Sequence, residues 1–303
     1  MHRCTAIIVT YNSAATISAC LEALSREDCE IVVVDNASKD STVARVEEIV
    51  AWHELRLLAN DVNRGFAAAV NQGARQASGD ILLLLNPDAI AEPGAVNALV
   101  QCIDATKASA AGGSLTRQDG EPARGFAFRQ LPTLAALMFE VMLVNRVWPG
   151  NPVNRRYRRL DADYSQQQPV EQPAGACLAV KRAAWDALSG FDESFFPVWF
   201  EDVDFCKRLR DRGDRIEYCP KARFHHSGAH SVRQLSFRDQ QVFWYGNMLR
   251  YARKHFSPRE GRFLRAGIAA GMLVRSLAAL FGARQNPLGE TLAAYRAVLR
   301  LAL

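Results

Sequence analysis

The sequence predicts an α/β fold in which a mainly parallel sheet is flanked by helices and a helical C-terminal tail follows. Strand and helix signals alternate over the first hundred residues, the order of a parallel sheet with right-handed crossovers. Residues 81–85 form an apolar run without alternation, which is typical of a strand buried on both faces. Hydrophobic residues make up 49% of the chain and charged residues 23%, as in a globular protein with an ample core.

The individual elements follow from local patterns of apolar residues and their terminators. Strands are predicted at residues 5–10, 30–34, 55–58, 81–85, 110–115, 175–181 and 215–219. Helices are predicted at residues 14–25, 42–52, 65–77, 95–106, 182–188 and 201–212, and from 236 onward. The small residues of the third helix predict close packing on the sheet. Asn86-Pro87 ends the fourth strand, because the residue before proline is restricted and the chain turns there.

The charge distribution and the cysteine pattern indicate which kinds of partner and which cellular compartment suit this chain. The net charge is +5, with an arginine cluster at residues 155–159 and many arginines in the last seventy residues. Such patches suit an anionic substrate or an acidic membrane surface, and no nucleic-acid-reading motif accompanies them. The seven cysteines form no CxxC pair, which favours a reducing cytoplasm and argues against structural zinc. We expect neither a signal peptide nor a transmembrane span.

Polar residues follow the first two predicted strands. Tyr11 can stack on a base, and Thr10 and Asn12 can bond a ribose or base edge. Asp35, followed by Asn36, is a candidate acceptor for a pyrimidine N–H, with helix capping as the alternative. Because open α/β sheets bind ligands at the carboxyl ends of their strands, these residues are candidates for one nucleotide site.

Two further clusters belong to the same predicted edge. Arg64 and the backbone N–H groups around Gly65 open a helix and could meet phosphate. Asp88, after Asn86-Pro87, follows the buried strand, where a lone carboxylate suits a metal ion that also holds a diphosphate. The alternative for Asp88 is a turn or helix cap.

A fifth cluster lies 110 residues further along the chain. Glu201 and Asp202 follow aromatic residues and open a helix, and a carboxylate beside apolar rings can serve as a general base. For Asp204 we favour ordinary helix-end charge or a supporting role. His225 and His226, expected after a strand and a turn, suit a further metal ligand, with a structural role equally plausible.

Taken in order, these motifs resemble the family 2 glycosyltransferases, most closely the rhamnosyltransferase-like branch of cell-surface polysaccharide assembly. The resemblance covers roughly residues 4–231 and rests on seven segments: Thr-Tyr-Asn, Val-Asp-Asn-Ala-Ser-Lys-Asp, Asn-Arg-Gly-Phe-Ala, Leu-Asn-Pro-Asp-Ala, Gly-Ala-Cys-Leu-Ala-Val-Lys-Arg, Phe-Glu-Asp-Val-Asp-Phe-Cys and His-His-Ser-Gly-Ala-His-Ser.

The resemblance implies a GT-A fold and an inverting transfer from a nucleoside diphosphate sugar, assisted by Mg²⁺ or Mn²⁺. It implies a glycosyltransferase domain at residues 1–231, made of a nucleotide-sugar-binding half (1–115), an insertion or lid (116–172) and an acceptor half (173–231). Residues 232–303 form a helical extension. It assigns the residues as follows: Thr10, Tyr11 and Asp35 to the nucleoside, Arg64 and Gly65 to the donor loop, Asp88 to the last acid of the DxD motif, Asp202 to the base with Glu201 beside it, and His225 to the metal. Asn86 replaces the first acid of DxD, as is usual in this branch.

Several alternatives remain open at this point. dTDP-rhamnose is the preferred donor, and a UDP-hexose or UDP-galactofuranose is the main rival. The acceptor is expected to be a glycan or a polyprenyl-linked sugar, with peripheral membrane contact through the basic C-terminal helices or residues 131–148. A nucleotidyltransferase is disfavoured because the loop after the first strand contains neither glycine nor lysine. A non-catalytic sugar-binding protein would have no need of Asp88, Asp202 and His225 together.

Overall fold

The computed structural model describes residues 3–50, 55–117, 119–226, 228, 234–282 and 285–303. Its strands are β1 Cys4–Thr10, β2 Glu30–Asp35, β3 Leu55–Ala59, β4 Ile81–Leu85, β5 Ala89–Ala91, β6 Ala110–Thr116, β7 Phe128–Arg129, β8 Gln168–Pro169, β9 Gln172–Pro173, β10 Cys177–Lys181 and β11 Ile216–His226. Its helices are α1 Ile17–Leu24, α2 Thr42–Val50, α3 Phe66–Gln76, α4 Ala95–Thr106, α5 Leu134–Val141, α6 Val144–Val147, α7 Pro152–Tyr157, α8 Arg182–Ala187, α9 Glu201–Asp211, α10 Phe237–His255, α11 Pro258–Leu280 and α12 Leu288–Ala302.

The central sheet is mixed and mainly parallel, with strand order β3-β2-β1-β4-β10-β6-β11-β5 and β8 paired to β11. The four strands β3, β2, β1 and β4 run parallel, so their carboxyl ends share one edge. β10 lies antiparallel between β4 and β6. The predicted α/β class, the mainly parallel sheet and the helical C-terminal region are confirmed.

The helix α3 packs closely on the sheet, as its small residues predict. A Cβ added at Gly73 would come 2.6 Å from Cγ2 of Ile7 in β1 and 3.2 Å from Cγ2 of Val34 in β2. Glycine at position 73 has no side chain, and this allows the backbone of α3 to lie closer to β1 and β2 than any other residue would permit. Its N-terminus, which carries Gly65, is thereby fixed beside the carboxyl ends of those strands.

The last strand differs most from prediction. A strand was expected to stop at Cys219, followed by a turn before His225, but β11 continues through His226. Pro220 lies within a shift of register between Cys219 and Arg223, where its missing N–H breaks no ladder bond. The three-residue β5, which the sequence did not predict, pairs antiparallel with the end of β11.

The chain forms two compact units. Unit 1 contains residues 1–131, 158–194 and 201–231 and holds the central sheet. Unit 2 contains residues 132–157, 195–200 and 232–303, and is built mainly from α5–α7 and α10–α12. The segment predicted as an insertion at 116–172 is divided between the two units. Within the described residues, α11 alone is long and apolar enough to cross a membrane by length and composition, and a third of its most apolar window is buried.

Candidate active site

The carboxyl ends of β1 and β2 are joined by a buried Thr10–Asp35 pair. The two residues are register partners, and Thr10 Oγ1 donates to Asp35 Oδ1 at 2.8 Å. Ser38 donates its hydroxyl to the same oxygen at 2.5 Å and its backbone N–H to Oδ2 at 2.9 Å. A carboxylate has about four acceptor positions, so three bonds from the chain orient Asp35 and leave capacity for one more donor.

The loop after β1 is tied to the loop after β2 by Asn12. Its backbone N–H donates to Ser38 Oγ at 2.8 Å, and its Oδ1 accepts from the N–H of Lys39 at 2.6 Å. Asn12 has a φ of 47°, a left-handed conformation that asparagine tolerates well. Asn12 therefore holds the two loops together at this edge of the sheet. The preceding residue, Tyr11, is half-exposed there.

Asn36 organises the loop that leads into α3. Its side-chain amide donates to Asn63 Oδ1 at 2.9 Å and to the carbonyl of Gly65 at 3.2 Å. Its Oδ1 accepts from the backbone N–H of Arg64 at 2.9 Å. Gly65 has a φ of 83° at the start of the helix, a conformation available mainly to glycine. The buried Asn36 thus fixes the backbone at a helix N-terminus, where anions bind favourably, while Arg64 remains exposed.

The turn after β4 holds Asp88 in a nearly closed environment, with 6% of its surface exposed. Its Oδ1 lies 3.3 Å from Nε2 of His226, and its Oδ2 accepts from the N–H of Gly228 at 3.0 Å. Burial by itself would raise the pKa of Asp88, but the hydrogen bond and charge of His226 outweigh it and the pKa is lowered. Asp88 is therefore held as a carboxylate.

The adjacent histidines have different environments, and the metal role expected for His225 is weighed here against His226. Consecutive strand residues point to opposite faces. His226 pairs in register with Ala89, next to Asp88, and its ring stacks on Phe126 at 5.4 Å. His225 instead lies between Oγ1 of Thr116, 2.9 Å from Nδ1, and Oε1 of Glu92, 3.0 Å from Nε2. His226 is thus the histidine beside Asp88.

Asp88 and His226 fit a divalent cation that takes few ligands from the protein. Over the ranges described, no group of three or more His, Cys, Asp or Glu side chains could hold a metal ion. Mg²⁺ commonly binds one or two carboxylates and completes its shell with water and substrate phosphates. One acid and one imidazole suit that mode. Asn86 completes the cluster, its Nδ2 lying 3.4 Å from Nε2 of His226.

Asp202 occupies the first turn of α9, half-buried and held by three donors. Its Oδ2 accepts from the N–H of Gly175 at 2.9 Å and from Nε2 of Gln172 at 3.3 Å, and its Oδ1 accepts from the N–H of Val203 at 2.8 Å. Burial raises the pKa of Asp202, although the backbone bonds and the positive charge of Arg129 oppose the shift. A carboxylate with a raised pKa and a fixed orientation is suited to accept a proton.

The neighbouring acids have other environments. Glu201 is buried, and its Oε2 has no hydrogen-bond partner among the residues that the structure describes. Burial, together with the charge of Asp202, raises the pKa of Glu201 well above the usual range. Asp204 is fully buried and pairs with Nε of Arg208 at 2.7 Å, which agrees with the supporting role favoured from the sequence. Asp202 therefore differs from both in combining partial exposure with a raised pKa.

Two consecutive residues before β10 connect the acid of α9 to the turn of β4. Gly175 donates to Asp202, and the carbonyl of Ala176 accepts from the N–H of Asn86 at 3.1 Å. β10 and β4 are neighbours, with Cys177 opposite Leu85. The Asp202 carboxylate and the Asn86–Asp88 turn are therefore brought to one edge of the sheet. Gly175 and Gln172 were not identified from the sequence, although Gly175 opens one of the quoted motifs.

Comparison with known proteins agrees with this architecture. A family model described as "Glycosyl transferase family 2" matches residues 5–167. The chain is 30% identical over 240 residues to the N-acetylglucosaminyl-diphospho-decaprenol L-rhamnosyltransferase of Mycobacterium tuberculosis, covering 75% of this chain and 76% of that protein. It is 24% identical over 245 residues to rhamnosyltransferase WbbL of Escherichia coli, covering 79% and 88% of the two chains.

Solved structures share the fold. A mannosyltransferase of Pyrobaculum calidifontis, solved with GDP-Man and Mn²⁺, aligns with a TM-score of 0.56 at 18% identity, covering 99% of this chain and 84% of that one. TarS 1-349 of S. aureus, solved with UDP, aligns with a TM-score of 0.55 at 17% identity, covering 99% and 90%. These structures are GT-A enzymes, so the predicted GT-A fold is confirmed.

Proposed function

Because the chain belongs to glycosyl transferase family 2 and is a glycosyltransferase, we propose that it moves one sugar, with inversion, from a nucleoside diphosphate to a hydroxyl of a lipid-linked glycan. One observation carries the proposal: Asp202 and the Asn86–Asp88 turn are anchored on the adjacent residues Gly175 and Ala176. A proton acceptor and a diphosphate-binding acid thereby share one edge of the sheet.

The donor we propose is dTDP-rhamnose. Two relatives named as rhamnosyltransferases match most of the chain, and the name of one specifies a diphospho-decaprenol acceptor. A polyprenyl-diphosphate-linked sugar is therefore the proposed acceptor. A UDP-hexose or UDP-galactofuranose is the alternative donor, because thymine and uracil differ by one methyl group, worth only ~1–3 kcal/mol of discrimination.

The nucleotide half binds and orients the donor. Thr10, Tyr11 and Asp35 would hold the nucleoside, with the remaining acceptor capacity of Asp35 directed at a base or ribose donor. The N-terminus of α3, with Arg64 beside it, would receive the diphosphate. Asp88 and His226 would hold Mg²⁺ or Mn²⁺, which when bound neutralises the negative charge that grows on the departing diphosphate.

Asp202 acts as the general base of the reaction. An acceptor hydroxyl is a poor nucleophile near neutral pH, so removal of its proton as it attacks the anomeric carbon lowers the barrier. The three hydrogen bonds to Asp202 hold the carboxylate in one orientation. A single displacement on the face opposite the leaving group inverts the anomeric centre. Burial and the charge of Asp202 raise the pKa of the neighbouring Glu201 well above its usual range, which favours the neutral form of Glu201 beside the base.

The compartment we propose is the cytoplasm, at the inner face of the plasma membrane. All seven cysteines are buried and unpaired, as expected in a reducing compartment.

The test begins with a donor panel. Thermal unfolding is followed with dTDP-rhamnose, UDP-glucose, UDP-galactose, UDP-galactofuranose and GDP-mannose, with and without Mn²⁺. Saturation near 100-fold above Kd stabilises by about 2.7 kcal/mol, a readable shift. We expect a Mn²⁺-dependent shift with dTDP-rhamnose. A shift only with another donor would replace rhamnose, and no shift with any donor would contradict the nucleotide site.

Turnover of the identified donor then tests the mechanism. NMR of the product is expected to show the anomeric configuration opposite to that of the donor. Asp202→Asn should lower kcat by about 10²–10⁴-fold, the usual contribution of a general base, while donor binding persists. Asp211→Asn, at the exposed end of the same helix, is the matched control and should keep full turnover. Equal turnover of both variants would remove Asp202 from the base role.

A further inference from the structure

The two compact units carry opposite charge. Unit 2 contains fifteen Lys and Arg residues against four Asp and Glu, a formal charge of +11. The whole chain is only +5, so unit 1 is −6. The donor-binding residues all belong to unit 1, so the positive charge of unit 2 is not accounted for by the nucleotide site. A charge of this size favours an extended anionic partner.

Unit 2 also exposes apolar side chains along one helix. α11 packs against α5 through glycines: a Cβ at Gly267 would meet Met138, and a Cβ at Gly271 would meet the backbone of Val141. Its other side leaves large apolar residues in solvent, at spacings of three and four that form one stripe. The stripe, called the α11 face below, consists of Leu273, Val274, Leu277, Leu280 and Phe281.

Unit 2 exposes further apolar side chains in the segment that follows α5. The α5 contacts advance along α11 in the same direction as the chain, from Met138 beside Gly267 to Val141 beside Gly271. Arg275, one turn further, donates to the carbonyls of Glu140 and Val141. The last turn of α5 therefore lies beside α11. In the segment that follows α5, Val147 is 85% exposed and Trp148 58% exposed, with exposed Arg146 preceding them.

We infer that the α11 face, with Val147 and Trp148, docks on an anionic lipid surface. A helix that presents large apolar residues beside arginines lies in the interfacial plane, and basic residues near an acidic leaflet strengthen its binding. A nucleic acid would match the charge but would leave the apolar stripe unused. A second unit 2 would match the stripe but would bring two +11 charges together.

The contacts of α11 favour an interfacial position over a membrane-crossing one. Arg275 lies in the apolar half of the helix and donates to the carbonyls of Glu140 and Val141 in α5 and of Gly271 in its own helix. Leu264, Ile268 and Met272 are buried inside unit 2. Crossing the membrane would require α11 to leave these partners, whereas surface docking uses only the side chains that are already exposed.

The inference is tested with the full chain and no substrate, so its outcome is independent of the proposed reaction. Co-flotation is measured with vesicles of phosphatidylcholine alone and of an equal mixture of phosphatidylcholine and phosphatidylglycerol. We expect binding to the mixed vesicles that weakens as salt is added. Leu277→Gln combined with Phe281→Gln should lower the partition coefficient by about tenfold or more, since both side chains are largely exposed in the free protein.

Val62→Gln is the matched control, because Val62 is a comparably exposed apolar residue of unit 1 and its loss should leave flotation unchanged. Unfolding temperatures of all variants verify that folding is intact. Absence of binding to the mixed vesicles, or equal binding by the double variant, would overturn the inference. A dimer in light scattering that the double variant dissolves, with no vesicle binding, would assign the face to a second copy instead.

Discussion

The backbone N–H of Gly175 donates a 2.9 Å hydrogen bond to Oδ2 of Asp202 across 27 positions of the chain. A Cβ built on Gly175 would lie 3.1 Å from both Cβ and Oδ2 of Asp202. A side chain at position 175 would therefore require Asp202 to move by a few tenths of an ångström. Gln172, three residues earlier in the chain, donates to the same Oδ2 atom. Two donors from one segment therefore orient the carboxylate of Asp202.

The first prediction concerns this glycine. Gly175→Ala should displace the carboxylate by a few tenths of an ångström and lower kcat by about 10–100-fold, since misplacement of a catalytic group by about 1 Å can cost 10²-fold. KM for the donor should change little, because Gly175 donates to Asp202 and is not among the residues proposed to hold the donor. Steady-state kinetics with both substrates give the comparison.

Gly289→Ala, in the exposed first turn of α12 where an added Cβ meets nothing within 4 Å, is the control. It should leave both constants unchanged. If Gly175→Ala kept wild-type kcat, the positioning role of Gly175 would be wrong.

The second prediction follows from the raised pKa of Asp202. A base whose pKa is raised is protonated, and inactive, over a wider range of acidic pH, so kcat/KM should rise with pH through an apparent pKa above the usual aspartate value and then level off. The ionisable neighbours of Asp202 include Arg129 on β7, whose positive charge lowers the pKa of Asp202, and Glu201 in the same helix, whose own pKa is raised.

Arg129→Gln tests the direction of that shift. Removal of the positive charge should move the acid limb of the pH profile to higher pH, with the plateau rate changed less than the limb. Lys207→Gln, which removes a surface cation of the same helix paired with Asp211, should leave the limb in place. A limb that moved to lower pH in Arg129→Gln would contradict the assignment of the limb to Asp202.

The third prediction separates the two histidines. His226→Ala should weaken Mn²⁺ binding in the presence of a nucleoside diphosphate by about tenfold or more, because it removes the imidazole beside Asp88. His225→Ala alters the neighbouring residue of the same strand, which faces Thr116 and Glu92, and should leave Mn²⁺ affinity nearly unchanged. Mn²⁺ titration followed by electron paramagnetic resonance measures both. The reverse order of effects would return the metal role to His225.

The histidines also show where sequence reasoning stops. The uninterrupted apolar run 81–85 and the Asn-Pro stop located Asp88 correctly at the end of a central strand, because both signals are local. To place His226 rather than His225 beside Asp88, one must know which face of β11 each histidine occupies. The sequence did not show this, because Pro220 suggested that the strand ends before the histidines. Gly175 and Gln172 contact Asp202 only through tertiary folding, so no spacing in the sequence could reveal them. By contrast, most of the charge of unit 2 was visible in the sequence, because residues 232–303 alone carry a formal charge of +9; the structure adds the grouping with residues 132–157.

The fourth prediction concerns Asn36 and the donor loop. Asn36→Asp keeps an acceptor for the N–H of Arg64 but removes both amide donors, which leaves a carboxylate facing the oxygens of Asn63 and Gly65. Loss of hydrogen bonds and the new repulsion together should cost about 1.5–3 kcal/mol locally, so we expect the loop to open and the donor to bind about tenfold or more weakly.

Isothermal titration with the nucleoside diphosphate measures the Kd, and amide hydrogen exchange at residues 60–65 measures loop order. Asn60→Ala is the matched control, because the Asn60 side chain contacts Asn36 at the long distance of 3.4 Å, and its removal should leave the Kd within about twofold. Faster exchange with an unchanged Kd would show that loop order does not govern donor binding, and it would move the diphosphate away from the N-terminus of α3.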